Sequence, residues 1–223
     1  MTKSKLFTAI MAVVLALLLL SISIAAPILI RPFYYAHIDA FDLPEQTGLT
    51  KDEIKTAYNE MMDYCLGKTD TFSTGLLAWS EEGKSHFDDV AKLFKLDLSI
   101  LAVTAVCTFA AALLTAKKKI AFAPVLGRGP LFWASVVLGV PFIVIGILAA
   151  TDFDRAFVVF HSVFFPGKTN WIFDWNLDQI IRILPQDFFM NCGILILVLL
   201  LTGCAAFVIA DILILKKEKV TIK

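Results

Sequence analysis

The chain has 223 residues, of which 58% are hydrophobic and only 18% are charged, and its 20 basic side chains balance its 20 acidic ones. A soluble domain typically carries about 45–50% apolar and about 25% charged residues. The composition therefore excludes a disordered chain, a coiled coil and an ordinary cytosolic enzyme, and zero net charge without a long basic tract argues against a nucleic-acid partner.

The apolar residues form four blocks, each near the roughly 20 residues that an α-helix needs to cross about 30 Å of hydrocarbon. A helix satisfies its own backbone hydrogen bonds in lipid, so we predict four transmembrane helices in an all-α membrane protein with a mostly helical extracytoplasmic cap. The predicted segments are an N-terminus 1–5, spans 6–30, 98–116, 131–150 and 194–215, cap segments 31–97 and 151–193, a loop 117–130 and a tail 216–223.

The first block also has features of a secretory signal peptide, because Lys3 and Lys5 precede it and Ser23-Ile24-Ala25 is a tolerable cleavage site. The apolar region of a signal peptide has about 7–15 residues, however, and the run from Leu6 to Ile30 is longer. We interpret it as an uncleaved anchor, with cleavage as the alternative.

Basic residues predict the orientation. The two termini and the loop 117–130 together carry ten basic residues and one acid, a balance of +9, whereas the two cap segments carry ten basic residues and eighteen acids, a balance of −8. We therefore expect both termini to be cytoplasmic. The cytoplasmic segments are too short to form a catalytic domain, and no P-loop is present, so an outward reaction would be a hydrolysis or a transfer without a nucleotide.

Helix boundaries are visible in the cap segments. Thr50 and Glu53 have capping-box spacing, which predicts a helix to about Cys65 that ends at Gly67. Ser80 followed by two glutamates predicts a helix that runs on into the second span. Asp152 or Thr151 would cap a helix that ends at Pro166-Gly167. Residues 69–79 favour a strand or a turn.

All three histidines fall in the cap segments. If the flanking helices are continuous, His86 and His161 lie eleven residues from their spans and therefore at a similar height. Such a pair could act as acid and base without a cofactor, and Asp89 or Asp154 could fix a tautomer. A lone histidine is more often a surface or capping residue. A zinc site is the rival interpretation, but no H-E-x-x-H or similar ligand spacing is present.

Aromatic residues are dense around His161, in FVVFHSVFF and then WIFDW. An interfacial aromatic belt explains many of them. A confined apolar cavity that accepts acyl chains is the other explanation, and for any single ring the two remain open.

The stretch FDRAFVVFHSVFFPGKTNWIFDWNLDQIIRILPQDFF, from Phe153 to Phe189, resembles the bacterial lipoprotein intramolecular transacylases, called Lit. Members have a similar F-H-x-x-F-F, then W-x-F-D, D-x-I-I and L-P-x-x-F-F. The earlier stretch WSEEGKSHFDDVAKLF resembles a second motif of the family. Three residues before its histidine the family pattern has an acid, whereas this chain has Gly83, with Glu82 beside it. His37 matches no family motif.

The resemblance implies an acyltransferase with four spans and an extracytoplasmic cap. Its substrate would be a diacylated lipoprotein, and the sn-2 acyl chain would move from the glyceryl group to the α-amine of the N-terminal cysteine, giving the N-acyl lyso form. The reacting atoms close an eight-membered ring, so the enzyme would have to fold the substrate tightly.

The resemblance also suggests roles for residues. His86 and His161 would be catalytic, with His161 favoured as the base and the reverse assignment open. The cavity would be formed by Phe160, Phe164, Phe165, Trp171 and Trp175, and the supporting residues would be Asp89, Asp174, Asp178 and Arg182. No cofactor or metal is implied, and the partners would be the lipoprotein and membrane lipid. The alternatives are a metal-dependent hydrolase that also uses His37, and a non-enzymatic binding or assembly protein.

Overall fold

The computed structural model of the chain describes the backbone of residues 3–221 and the side chains of residues 4–217. Parts of the predicted termini 1–5 and 216–223 therefore lie outside the described residues. The described part is mostly helical, with α1 (Lys5–Leu29), α2 (Arg31–Ala40), α3 (Leu43–Thr47), α4 (Lys51–Cys65), α5 (Glu81–Ala116), α6 (Pro130–Thr151), α7 (Phe153–Phe164), a 3₁₀ helix (Gln179–Arg182) and α8 (Gln186–Thr221).

Four of these helices, α1, α5, α6 and α8, are long and apolar enough to cross a membrane. They contain the four predicted apolar blocks except Ile30, which follows α1, and this confirms the all-α membrane fold. As the sequence predicts, α5 starts at Glu81 and runs on into the apolar block, so its charged first part, up to Asp97, lies outside the predicted span 98–116. The exact limits of the spans and of the cytoplasmic segments stay predictions.

The chain divides into two compact units, which we call the span unit and the histidine unit. The span unit contains the residues up to Ile24, Leu98–Leu148 and the residues from Leu195 onward, and the histidine unit contains Ala25–Asp97 and Ala149–Ile194. All three histidines belong to the histidine unit.

Small and aliphatic side chains from α1, α6 and α8 form the core of the span unit, including Leu15, Ala134 and Leu200. The acid that the sequence places in the fourth apolar block, Asp211, is buried, and its Oδ1 accepts a hydrogen bond from the Gly129 amide at 3.0 Å. Because α6 begins at Pro130, this carboxylate satisfies a backbone donor that the helix leaves unpaired.

One short parallel pairing connects the segment before α1 with the segment between α5 and α6 in the span unit. Two-residue strands β1 (Lys3–Ser4) and β2 (Ala121–Phe122) pair in parallel, and Thr8 donates to the Ala123 carbonyl at 2.7 Å. Within the described residues this is the one two-stranded sheet.

In the histidine unit, α4 follows the predicted boundaries. Thr50 and Glu53 form the complete capping box, and Gly67 has a positive φ of 70° after the helix ends. The helix packs through Tyr58, whose ring stacks on Tyr34 at 3.7 Å, and the buried Tyr34 hydroxyl donates to the Ile183 carbonyl. Burial raises the pKa of both phenols, so both stay neutral donors.

Two short helices, α2 and α3, lie in a stretch that the sequence analysis left without structure. Each has a proline in its first turn, where the missing N–H costs nothing. Residues 69–79 form turns rather than a strand, and Thr74 is buried with its hydroxyl donating to the Leu77 carbonyl.

Candidate active site

Helix α5 carries His86, and a residue of the second cap segment holds the N-terminal end of this helix in place. The Ser80 hydroxyl accepts from the Gly83 amide at 2.9 Å, and Asp178 Oδ1 accepts from the backbone and hydroxyl of Ser80 at 2.8 Å each. A Cβ on Gly83 would lie 2.1 Å from that carboxylate oxygen. The family pattern has an acid at this position. In this chain the position is Gly83, and the carboxylate of Asp178 packs against it.

Helix α7 carries His161 and is separate from the preceding span helix. Asp152 interrupts the helical path with an extended backbone and caps α7 by accepting from the Arg155 amide. His161 therefore does not lie on a helix that is continuous with its span, and the expectation of two continuous helices is wrong for this histidine. The predicted end is confirmed, because α7 stops at Phe164 and Gly167 has a positive φ of 73°.

The two histidine rings are nevertheless neighbours. Their centroids are 5.8 Å apart, and the two residues are only 6% and 7% exposed. His161 lies between Phe157 at 4.3 Å and Trp171, which stacks on it at 4.5 Å. His86 contacts other rings, Phe165 at 4.9 Å and Phe173 at 5.5 Å. The pair therefore sits in a mostly aromatic environment that keeps water away.

The hydrogen bonds of the two histidines differ. His161 Nδ1 lies 2.8 Å from the Phe157 carbonyl oxygen, which can only accept, so Nδ1 carries a proton and Nε2 of the neutral ring does not. His86 Nδ1 is enclosed and has no hydrogen-bond partner among the described residues. The carbonyl of Phe157, and not Asp89 or Asp154, fixes the tautomer of His161. Asp154 instead accepts from Gln186.

Burial lowers the pKa of both rings, because a charged imidazolium loses its hydration. The pKa of His86 falls to about 4, mainly through burial and then through repulsion by His161, with Asp89 opposing and Lys168 adding to the shift. The pKa of His161 is also lowered by burial, against the opposing effect of the Phe157 carbonyl. Both rings are therefore neutral at pH 7, and each can take part in proton transfer.

Asp89, one turn after His86, bonds to cations and an amide rather than to a histidine. Its carboxylate accepts from Lys168 Nζ, from Lys92 Nζ at 2.9 Å and from Asn170 Nδ2 at 3.3 Å. Burial opposes the shift, but these hydrogen bonds lower the pKa of Asp89 to about 2. Lys168 and Asn170 were not predicted from the sequence, since they lie about 80 residues from Asp89 and no local pattern connects them.

The five aromatic residues proposed for the cavity fall into two groups. Phe165 and Trp171 touch the histidine rings and are mostly buried. Phe160, Phe164 and Trp175 are 48%, 49% and 59% exposed, and their place in a cavity stays a prediction. Phe160 still reaches the edge of His161 at 5.4 Å. Phe157 and Phe173, which were not singled out, contact the pair directly.

The remaining supporting residues stabilise the second cap segment. Asp174 Oδ1 accepts from the Asn176 amide at 2.8 Å in a tight turn. Arg182 donates to the Trp175 carbonyl at 3.2 Å, and its guanidinium lies 5.7 Å from the centre of the Trp175 ring. Neither residue has a described contact with a histidine.

His37 makes no described contact with the pair. Its Nδ1 donates to the Phe33 carbonyl at 2.7 Å, and its Nε2 accepts from the Asn191 amide at 3.1 Å. Its ring packs against Phe33, Phe41 and Phe188. Across residues 4–217, no group of three or more His, Cys, Asp or Glu side chains is arranged to hold a metal ion.

Comparison with known proteins gives a consistent result. Residues 9–189 match the family model described as "Lipoprotein intramolecular transacylase Lit". The structure is similar to the membrane-integral lipoprotein intramolecular transacylase Lit from Bacillus cereus, with a TM-score of 0.86 and 26% identity over 96% of this chain and 97% of the other.

Two further structures of the B. cereus protein match, in which one histidine is replaced by arginine or by alanine. Each has a TM-score of 0.77 and 25% identity, and they cover 97% and 96% of this chain and 93% and 94% of the other. No curated protein matched the sequence. Since the family model spans well over half of the chain, the protein belongs to the Lit family of lipoprotein intramolecular transacylases and is a membrane-integral acyltransferase.

Proposed function

We propose that this enzyme moves the sn-2 acyl chain of a diacylglyceryl-cysteine lipoprotein to the α-amine of the same cysteine. His161 acts first as general base and then as general acid, and His86 donates a hydrogen bond to the oxyanion. The observation that carries the proposal is the buried ring pair, 5.8 Å apart, in which hydrogen-bonding capacity is left unused. Buried polar groups are normally paired, so unpaired ones at the centre of an aromatic site favour a catalytic role.

The hydrogen bonds favour one assignment of roles over the other. With Nδ1 bound to the Phe157 carbonyl, His161 presents an unprotonated Nε2, which suits a base. His86 Nδ1 has no acceptor nearby, and an enclosed N–H without a partner is rare, so the proton of His86 belongs on Nε2, which suits a donor.

The proposed reaction conserves atoms and protons. The cysteine amine attacks the ester carbonyl at sn-2 while His161 Nε2 takes one amine proton. His86 Nε2–H donates a hydrogen bond to the oxyanion of the tetrahedral intermediate, which can contribute several kcal/mol when water is excluded. The bond between the acyl carbonyl carbon and the ester oxygen on glyceryl C2 then breaks, and His161 returns its proton to that oxygen. The products are an N-acyl cysteine and a free sn-2 hydroxyl.

No external nucleophile and no cofactor enters this scheme, so its barrier depends on positioning. Closing an eight-membered ring requires amine and ester to meet, and well-oriented intramolecular reactions gain about 7–11 kcal/mol. The contacts of Phe157, Phe165, Phe173 and Trp171 with the two imidazoles support a narrow space for this folding. The charge distribution of +9 against −8 supports cytoplasmic termini and an outward histidine unit, where acylated lipoproteins reside.

The test uses purified enzyme in detergent and a synthetic diacylated lipopeptide with an isotope-labelled sn-2 chain. Mass spectrometry after fragmentation reports whether the label reaches the cysteine nitrogen. We expect transfer by the wild type, with or without chelator, and a loss of about 10²–10⁴-fold in His86→Ala and His161→Ala.

Three outcomes would contradict the proposal. Near-normal transfer by both histidine variants would remove the assigned roles. Label recovered as free fatty acid would indicate hydrolysis instead of transfer. Activity that chelator abolishes and Zn²⁺ restores would favour the metal-dependent alternative.

A further inference from the structure

The turn after α7 is anchored to the helix that carries His86. Lys168 and Asn170 lie three and five residues beyond Phe165, and both donate to the carboxylate of Asp89. The orientation of the Asn170 amide is fixed, because a carboxylate can only accept, so Nδ2 must face Asp89. Asn170 Nδ2 also donates to the Ser85 hydroxyl at 3.1 Å, directly before His86 in the chain.

The same turn supports a ring that touches His161. The Trp171 indole N–H donates to the Lys168 carbonyl at 3.0 Å, and the Lys168 amide donates to the Phe165 carbonyl at 3.1 Å. The Trp171 ring stacks on His161 with an interplanar angle of 25°. An unbroken series of contacts thus runs from Asp89 through Lys168 and Trp171 to His161.

We propose that Lys168 is a positioning residue for the transacylase reaction, because its ion pair with Asp89 holds Trp171 on His161 and fixes the spacing of the two histidines. This inference rests on the proposed function of the pair. Lys168 does not act on the substrate in this account. Its role is to connect α5, which carries His86, with the turn that closes over His161.

Lys92 provides a natural comparison, since it binds the same carboxylate. It lies on α5 itself, three residues after Asp89, and its side chain is 74% exposed. Removing Lys92 takes one positive charge from Asp89 without touching the turn. Removing Lys168 takes the same charge and also leaves the turn bonded to α5 by Asn170 alone. The two substitutions therefore separate positioning from charge.

The ion pair also has an electrostatic consequence for His86. The charged or titratable groups that act on His86 are Asp89 on its own helix, His161 on α7 and Lys168 in the turn. Asp89 raises the pKa of His86, whereas Lys168 lowers it. Without Lys168 the pKa of His86 should rise, and with Asp89→Asn it should fall, so the two partners of one ion pair are expected to shift the titration in opposite directions.

The experiment compares wild type, Lys168→Met, Lys168→Arg and Lys92→Met with the labelled lipopeptide, measuring kcat and KM separately. NMR follows the imidazole carbon-bound protons of His86 from about pH 2.5 to pH 8, which covers both sides of a titration near pH 4. We expect kcat to fall on the order of 10-fold to 100-fold in Lys168→Met with a smaller change in KM, since a displacement of about 1 Å in an active site can cost 10²-fold. Lys168→Arg should recover most of the loss, and Lys92→Met should stay within about twofold of wild type.

Equal kcat values for Lys168→Met and Lys92→Met would overturn the proposal, and so would an unchanged or lowered pKa of His86 in Lys168→Met. Thermal unfolding of each variant identifies a fold defect. If Lys168→Met is defective, the kcat of Lys168→Arg and the pKa of His86 in Asp89→Asn decide whether the proposal stands. If the wild type transfers no acyl chain, the proposed function fails instead, whatever the lysine variants do.

Discussion

Two aromatic pockets of the histidine unit each hold histidine, and they differ in how the imidazole nitrogens are bonded. In the pocket formed by Phe33, Phe41 and Phe188, both nitrogens of His37 have partners, the Phe33 carbonyl and the Asn191 amide. In the other pocket His161 has one bonded nitrogen, and the enclosed Nδ1 of His86 has no partner among the described residues. Aromatic surroundings are common to both pockets and therefore do not distinguish them.

The difference indicates where chemistry is possible. A ring whose nitrogens are already occupied can transfer a proton only after breaking a hydrogen bond. The Nε2 atoms of His86 and His161 make no described hydrogen bond, and these are the atoms that the proposed reaction uses. His37 also matched none of the motifs that carry the resemblance to the family. We infer that His37 stabilises the fold and that the pair His86 and His161 performs the reaction.

The largest expected effect contrasts His161→Ala with His37→Ala. Loss of the base should lower kcat by about 10²–10⁴-fold. Loss of His37 should leave kcat of the folded protein within a few fold, but it removes two hydrogen bonds and leaves Asn191 unpaired, which should cost about 1–3 kcal/mol of stability. The lipopeptide assay measures the first effect, and thermal unfolding measures the second. A large loss of kcat in folded His37→Ala would break the contrast.

A smaller effect is expected when the start of α5 is disturbed without touching a histidine. Gly83→Ala would place a Cβ 2.1 Å from Asp178 Oδ1, so the carboxylate must move and its bonds to Ser80 weaken. We expect a loss of about 1–3 kcal/mol and a reduced kcat.

Gly193→Ala is the matched control for this substitution. It also replaces a helical glycine, but nothing lies within 4 Å of the new Cβ, so it should be neutral or slightly stabilising. Thermal unfolding of both variants makes the comparison. Equal stability of the two would show that the contact between Asp178 and Gly83 does not hold α5.

The smallest expected effect is a pH dependence of stability. Burial lowers the pKa of His86 to about 4 and also lowers that of His161, against about 6.5 in the unfolded chain. The unfolded chain therefore binds more protons below pH 6.5, so stability should be complete above that pH and decrease as the pH falls toward 5. Asp89, with a pKa of about 2, adds to this loss of stability only below about pH 4, where the unfolded chain begins to protonate that carboxylate first.

The double variant His86→Gln and His161→Gln checks this dependence. Neither glutamine titrates, so the unfolding temperature of the variant should change less between pH 6.5 and pH 5 than that of the wild type. An identical pH dependence in both proteins would contradict the lowered pKa values.

Much of the fold could be predicted because local patterns determine it. The four apolar blocks, the capping box at Thr50 and Glu53, and the ends of α4 and α7 each depend on neighbouring residues. The short helix α2 was missed because its sequence, RPFYYAHIDA, is polar and aromatic without a clear period. Asp152 was predicted as a cap. That this cap also separates α7 from the third span helix, so that the two are not continuous, was not predicted.

The site was predictable in its histidines and less so in its surroundings. Symmetric sequence distances suggested His86 and His161, the density of aromatic residues around His161 suggested an apolar site, and the resemblance to the family added the reaction and the substrate. The partners of Asp89, the carbonyl that orients His161 and the packing of Asp178 on Gly83 all connect residues that are far apart in the chain or belong to the backbone. Only the tertiary structure brings such groups together.

The central claim is that the unused nitrogens of the pair make His161 the base and His86 the donor. With only three histidines in the chain, ¹⁵N-histidine labelling and long-range proton–nitrogen correlation at pH 7 can report every tautomer, with single substitutions to assign the signals. The account predicts protonated Nδ1 in His37 and His161 and protonated Nε2 in His86. Protonated Nε2 in His161, or a positively charged His86, would contradict it.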